Sequence, residues 1–297
     1  MDWLMEPFAL GFQQRALIGG TIAAATCSVV GVWLVLRGMS FFGDAFVHGV
    51  IPGIAAAVLF GFSPLVGAAL AAAAMVVGIG LVHRSTTLKE DTSIGLLFVG
   101  MMALGVVIIS RSESYTGSLT SILFGDALGV GWDDIRTQAV LGVAVVLLAL
   151  LLYRPLMALS FSVEKAGSLG MRPKLAHGLL LVLIAAAVIG SFRAVGTLLV
   201  FGLLVGPPAT AALISRSVPI MFLWSLAVSV FSVLAGLTIS YRIGTAGSAT
   251  MALVPILIFF FTLAVRETAR SARARRSATA GPRSSPEPDG HGQALEG

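Results

Sequence analysis

Two residues early in the chain have the types and spacing to hold a cation. They are Asp44 and His48, in the stretch "RGMSFFGDAFVHGVIPG" from Arg37 to Gly53. On a helix, a carboxylate and an imidazole four residues apart share one face, about 6 Å apart along the axis. Such an oxygen–nitrogen pair suits Zn2+, Mn2+ or Fe2+. Asp44 also stands where a helix could begin, so the same spacing fits an N-cap with His48 hydrogen-bonded in the first turn. One Asp-x-x-x-His pair does not choose between these readings.

The surroundings sharpen the question. The pair sits between the apolar runs "GVWLVL" and "IAAAVLF", in a chain of 297 residues that is 57% hydrophobic and 11% charged. Its mean hydropathy is +0.97. Soluble domains carry roughly 25% charged residues, which excludes an aqueous globule. Runs of about twenty apolar residues recur along the chain, each long enough to cross a hydrocarbon core of about 30 Å. No ten-residue alternating segments of a barrel occur. The expected fold is therefore all-α, a polytopic membrane bundle. Nine spans are read at 16–36, 45–61, 63–83, 92–110, 136–154, 177–193, 196–214, 218–240 and 247–265. The second is interrupted by Gly49, Pro52 and Gly53, a break tolerated in a membrane only where protein or a watery cavity satisfies the freed backbone. In such surroundings an unpaired carboxylate costs several kcal/mol. A passing divalent cation would offset that cost transiently, as transport requires.

The chain divides into a transmembrane domain, 1–267, and a polar tail, 268–297, whose Pro-, Gly- and Ser-rich composition predicts disorder. Lys and Arg gather in 83–91, in 154–174, at Arg216 and beyond Arg266, which predicts a cytoplasmic C-terminus and an outer N-terminus. Arg193 and Arg242 are mild exceptions. The basic stretch "RETARSARARR" reads as an orienting cluster that could also touch anionic lipid, not as a nucleic-acid site. The single cysteine, Cys27, excludes an intramolecular disulfide. The first residues do not read as a signal peptide. No G-x-x-x-x-G-K-[ST] occurs, and none of the three lysines follows a glycine, so the chain carries no Walker-type ATP site. Nor does it carry the membrane-centre string of carboxylates that a proton-driven carrier usually needs. Either the chain is passive or another subunit drives it. Gly49-x-x-x-Gly53 and Gly202-x-x-x-Gly206 are candidates for close helix contacts.

Several stretches together resemble one family. "RGMSFFGDAFVHGVIPGIAAA" resembles the signature of the membrane permeases of zinc, manganese and iron ABC importers, typically worded "SFFGDALSHAVLPG". "EDTSIGLLFVGMMALGVVIIS", "SILFGDALGV" and "VGTLLVFGLLVGPPATAALIS" resemble its fourth-span, outer-segment and seventh-span signatures, in the same order. The resemblance implies a type II importer-like homodimer. Its partners would be a separate cytoplasmic ATP-binding subunit and an extracellular metal-binding protein, with no permanently bound cofactor and no enzymatic role for this chain. It also implies that Asp44 and His48 are metal ligands. "SFSVEKAGSLGMRP" is similar to the family's ATPase-coupling loop; Glu164, Ala166 and Gly170 match, whereas Ser162 replaces an aspartate. Pro207 and Pro208 fall on the family's kinked span, with a second proline in place of its alanine. The expected cargo is zinc first and manganese second, with location in the cell membrane. The alternatives are a permease for a haem or siderophore chelate and a stand-alone secondary carrier.

Overall fold

A computed structural model describes residues 10–85, 90–110, 129–161 and 173–279. Among the described residues every regular element is helical. The helices are α1 (Gly11–Leu36), α2 (Ser40–Gly49), α3 (Ile51–Phe60), α4 (Pro64–Ser85), α5 (Glu90–Ile109), α6 (Trp132–Leu151), α7 (Tyr153–Phe161), α8 (Pro173–Ile214), α9 (Val218–Ile243) and α10 (Gly247–Thr279). Eight stretches are long and apolar enough to span a membrane, counting α2 and α3 as one, and Leu199–Ile214 adds a shorter apolar helix.

α8 holds two of these crossings. Its one residue off the helical backbone is Gly196 (φ 78, ψ 163), a conformation that glycine adopts without strain. Contacts with α1 show what happens there. His177 meets Arg37 and Ser191 meets Cys27, so the first half of α8 runs antiparallel to α1. A straight continuation would carry Leu204 about 40 Å from His177. Leu204 instead abuts Gly31, between the levels of Cys27 and Arg37. The chain therefore turns back at Gly196, and the second half of α8 returns beside α1. That agrees with the two spans read from sequence at 177–193 and 196–214.

α1 is the central post: 67% of its spanning window is buried, against 22% for α5 and for α10. It packs chiefly on α8 and α9, then on α6 and α2. Lipid offers no hydrophobic drive for helix association, so these contacts depend on close approach and on hydrogen bonds. Gly53 of α3 and Gly67 of α4 face each other so closely that a Cβ on either would strike the other's carbonyl. Gly202 lies against the Ala252 backbone, Gly206 against Pro255 and Gly236 against the Met251 backbone. The Gly202-x-x-x-Gly206 pair is thus one contact face. Gly49 and Gly53 meet Met75 on the one hand and Gly67 on the other, both in α4. Polar side chains bridge α1 to α9 and to α6. Ser28 Oγ lies 2.6 Å from Ser229 Oγ, and Gln138 Nε2 donates to the Gly19 carbonyl at 3.0 Å.

The turns are built economically. After α1, Gly38 takes φ 68, Met39 N–H donates to Leu34 O and Gly38 N–H to Val35 O, the Schellman pattern. Gly61 and Gly244 end α3 and α9 with the same left-handed backbone. One boundary differs from the sequence expectation: α10 continues to Thr279, so residues 268–279 are helical rather than part of a disordered tail. Ala and Arg are good helix formers, and extending an existing helix avoids the cost of nucleation. The outer segment 111–128 and residues 162–172 and 280–297 lie outside the described residues.

Gly31→Ala and Gly53→Ala are each expected to destabilise the purified protein by about 1–3 kcal/mol, because backbone must move. Gly80, where an added Cβ meets nothing within 4 Å, is the control. Thermal unfolding in detergent checks this: midpoints should fall for the first two and hold for Gly80→Ala.

Candidate metal site

Asp44 and His48 lie inside α2, whose N-cap is Met39. Asp44 is therefore not the cap of this helix, and the N-cap reading falls away. Their side chains converge, with His48 Nε2 3.4 Å from Asp44 Oδ1, and each remains about a quarter exposed, at 24% and 25%. That separation has chemical content. Two ligands bound at about 2.1 Å to one ion, at angles of 90° to 109°, stand about 3.0–3.4 Å apart. The pair thus already has the spacing of neighbouring ligands on a divalent cation, and its exposed quarter gives an ion access.

The rest of α2 is fixed by packing. Phe42, Ala45, Phe46 and Val47 are buried. Gly43 presses against Leu204 of α8 and Leu34 of α1; a Cβ there would lie 2.9 Å from Leu204 Cδ2. α2 stops at Gly49 and α3 starts at Ile51, with Pro52 in its first turn. Because Pro52 has no N–H, the regular bond to the His48 carbonyl is missing and the second span breaks just past the pair. The sequence placed this break correctly from Gly49, Pro52 and Gly53.

His48 lacks one usual support. Among the described residues its Nδ1 is buried without a hydrogen-bond partner. A metal-binding histidine normally donates its second N–H to an acceptor that fixes the ring. Here packing does that work. The Phe98 ring of α5 lies 6.0 Å from the imidazole and is itself braced edge-on by Phe41 at 5.9 Å. Sequence reasoning had marked the "EDTSIGLLFVG" stretch without singling out Phe98. Its single aromatic among small and aliphatic residues was the available signal.

Pro207 and Pro208 are buried inside the returning half of α8, eleven and twelve residues beyond the non-helical backbone of Gly196. Pro208 does have a structural consequence. It withholds a donor from the Leu204 carbonyl, and that carbonyl points at Gly31, where only a glycine admits it. Glu164, Ala166 and Gly170 lie outside the described residues. Among the described residues no group of three or more His, Cys, Asp or Glu could hold a metal ion.

Comparison with known proteins gives consistent matches along nearly the whole chain. Residues 9–266 match the model of the ABC 3 transport family. A "probable iron transport system membrane protein" of Haemophilus influenzae is 33% identical over 263 residues, 89% of this chain and 97% of that protein. The "manganese transport system membrane protein MntC" of Listeria innocua is 34% identical over 250 residues, 84% of this chain and 89% of the other. Among solved structures, "PsaBC from Streptococcus pneumoniae in complex with Fab" superposes with a TM-score of 0.79 at 30% identity, covering 88% of this chain and 94% of that one.

Removing the ring that braces His48 should loosen the pair without unfolding the bundle. Phe98→Ala is expected to weaken divalent-cation binding by the purified protein several-fold, whereas Leu96→Ala, on the exposed face of the same helix, leaves it unchanged. Calorimetric titration with Mn2+ distinguishes the two.

Proposed function

The chain belongs to the ABC 3 transport family, and from that membership we propose that it is the permease subunit of an importer that moves a divalent transition metal into the cytoplasm. The observation that carries this reading is the Asp44–His48 pair, held at ligand spacing on one face of α2. The chain performs no covalent chemistry in this scheme. Energy comes from a separate ATP-binding subunit, since the sequence has no Walker motif.

Two ligands fall short of the four to six that such cations take. A second copy of the chain, brought by a two-fold axis, would contribute its own Asp44 and His48 and raise the set to four. The homodimer proposed here follows from that deficit. The cargo arrives from an extracellular binding protein and pauses at the four side chains. It leaves when ATP hydrolysis moves the cytoplasmic loops, where Glu164, Ala166 and Gly170 would meet the ATPase. The basic loops and the Arg-rich end of α10 support a cytoplasmic C-terminus and an outer N-terminus in the cell membrane.

An imidazole and a carboxylate accept Mn2+, Fe2+ and Zn2+ alike, and no thiolate biases the site towards zinc. The relatives named for manganese and iron favour Mn2+ as first choice over Zn2+. The test is uptake of radioactive manganese and zinc by cells lacking their own systems. These cells carry the ATPase, the binding protein and either wild-type, Asp44→Asn or His48→Gln permease. Both variants are expected to lose at least about tenfold in uptake while still assembling with the ATPase. Normal uptake by both would remove the pair from the pathway. Zinc uptake without manganese uptake would reverse the order of cargo and leave the site standing.

A further inference from the structure

One turn of α1 touches α2 next to the metal pair and the helices on either side of the segment 162–172. Trp33, 1% exposed, meets Tyr153, the first residue of α7, edge-on at 5.4 Å, and Phe222 of α9 at 5.5 Å. Four residues on, Arg37 Nη1 lies 2.8 Å from His177 Nδ1, near the start of α8. Tyr153 and His177 stand on either side of 162–172, and α1 holds both within a single turn. A guanidinium can only donate, so in this contact Nδ1 of His177 is the acceptor.

The same turn reaches the metal pair by two routes. Leu34 Cδ2 lies 3.3 Å from where a Cβ on Gly43 would stand, one residue before Asp44. The chain then enters α2 through the left-handed turn at Gly38, closed by the bonds from Gly38 to Val35 and from Met39 to Leu34. These two bonds tie Gly38 and Met39 to the last turn of α1, so α2 starts at a fixed offset from it.

We propose that Trp33–Gly38 is the element that transmits movement of the segments flanking 162–172 to Asp44 and His48. This rests on the transport reading above. Arg37 and His177 touch no cargo; they are positioning residues that keep α2, and hence the two ligands, in step with the cytoplasmic side.

The experiment uses the complete transporter, permease with its ATPase and binding protein, in proteoliposomes. Manganese uptake and ATP hydrolysis are read in the same preparation, and Mn2+ binding is read by titration. Arg37→Met and His177→Leu are each expected to cut manganese moved per ATP hydrolysed by about tenfold, with hydrolysis and Mn2+ binding held within twofold. His177→Asn, whose side-chain oxygen offers an acceptor near the position of Nδ1, should restore most of the coupling. The Arg37→Met/His177→Leu double variant should be no worse than either single. Unchanged manganese per ATP, a proportional fall in uptake and hydrolysis, or additive losses would each overturn the proposal. Asp44→Asn serves as reference. If it transports normally, the metal reading itself fails; if it is inactive while Arg37→Met stays coupled, only the transmission element fails.

Discussion

A carboxylate inside an apolar bundle is the constraint on which the surrounding structure depends. Asp44 sits on a helix whose neighbours are almost all hydrocarbon, where an isolated charge is expensive and the dielectric is low. The imidazole of His48, one turn away and 3.4 Å from the carboxylate, is the polar neighbour the helix itself supplies. On the transport reading proposed above, a passing divalent cation would offset the cost of the buried carboxylate transiently. A permanent Asp–Arg pair at this position would be better satisfied and useless for passage, since an ion would have to displace a charge already matched. The arrangement keeps the site a little short of partners on the imidazole side as well, where among the described residues Nδ1 is buried without one.

Holding two such groups at ligand distance requires that α2 not drift, and glycine is the means. α2 is locked by Gly43 against Leu34 and Leu204, and by Gly49 against Met75. The post it leans on, α1, is locked in turn by Gly31 against the carbonyl that Pro208 leaves without a donor. Proline and glycine act here as one device on opposite helices. The ring removes a hydrogen bond and exposes an oxygen, and the missing side chain lets the other backbone come close enough to cover it. The serine and glutamine contacts along α1 add direction to surfaces that van der Waals packing alone would leave free to slide.

Much of this was legible in the sequence because membranes simplify the code. Uninterrupted apolar length marks each span, and the polar stretch around Asp44 stood out against it. The break in the second span was legible at Gly49, Pro52 and Gly53, and apolar length separated the spans at 177–193 and 196–214. Other features were hidden for physical reasons. Arg37 and His177 are 140 residues apart, and neither has a local pattern that predicts the other. The role of Pro208 depends on which helix faces the freed carbonyl, a tertiary fact. Residues 268–279 look disordered by composition, yet an arginine- and alanine-rich stretch attached to a formed helix inherits its nucleus and simply continues. The N-cap reading of Asp44 failed because the helix starts at Ser40, where no side-chain cap announces it.

That last helix has a geometric consequence of its own. α10 has 33 residues, a rod of about 50 Å, whereas the hydrocarbon it must cross is about 30 Å thick. Some 20 Å of helix therefore projects past the acyl chains. The chain does not leave the lipid as a loose strand; it stands off from it on a stiff pedestal. Thr279, the last residue of α10, stands about that far from the level at which the helix leaves the acyl chains. How far the arginines of that last stretch reach from the lipid is set by the length of a helix.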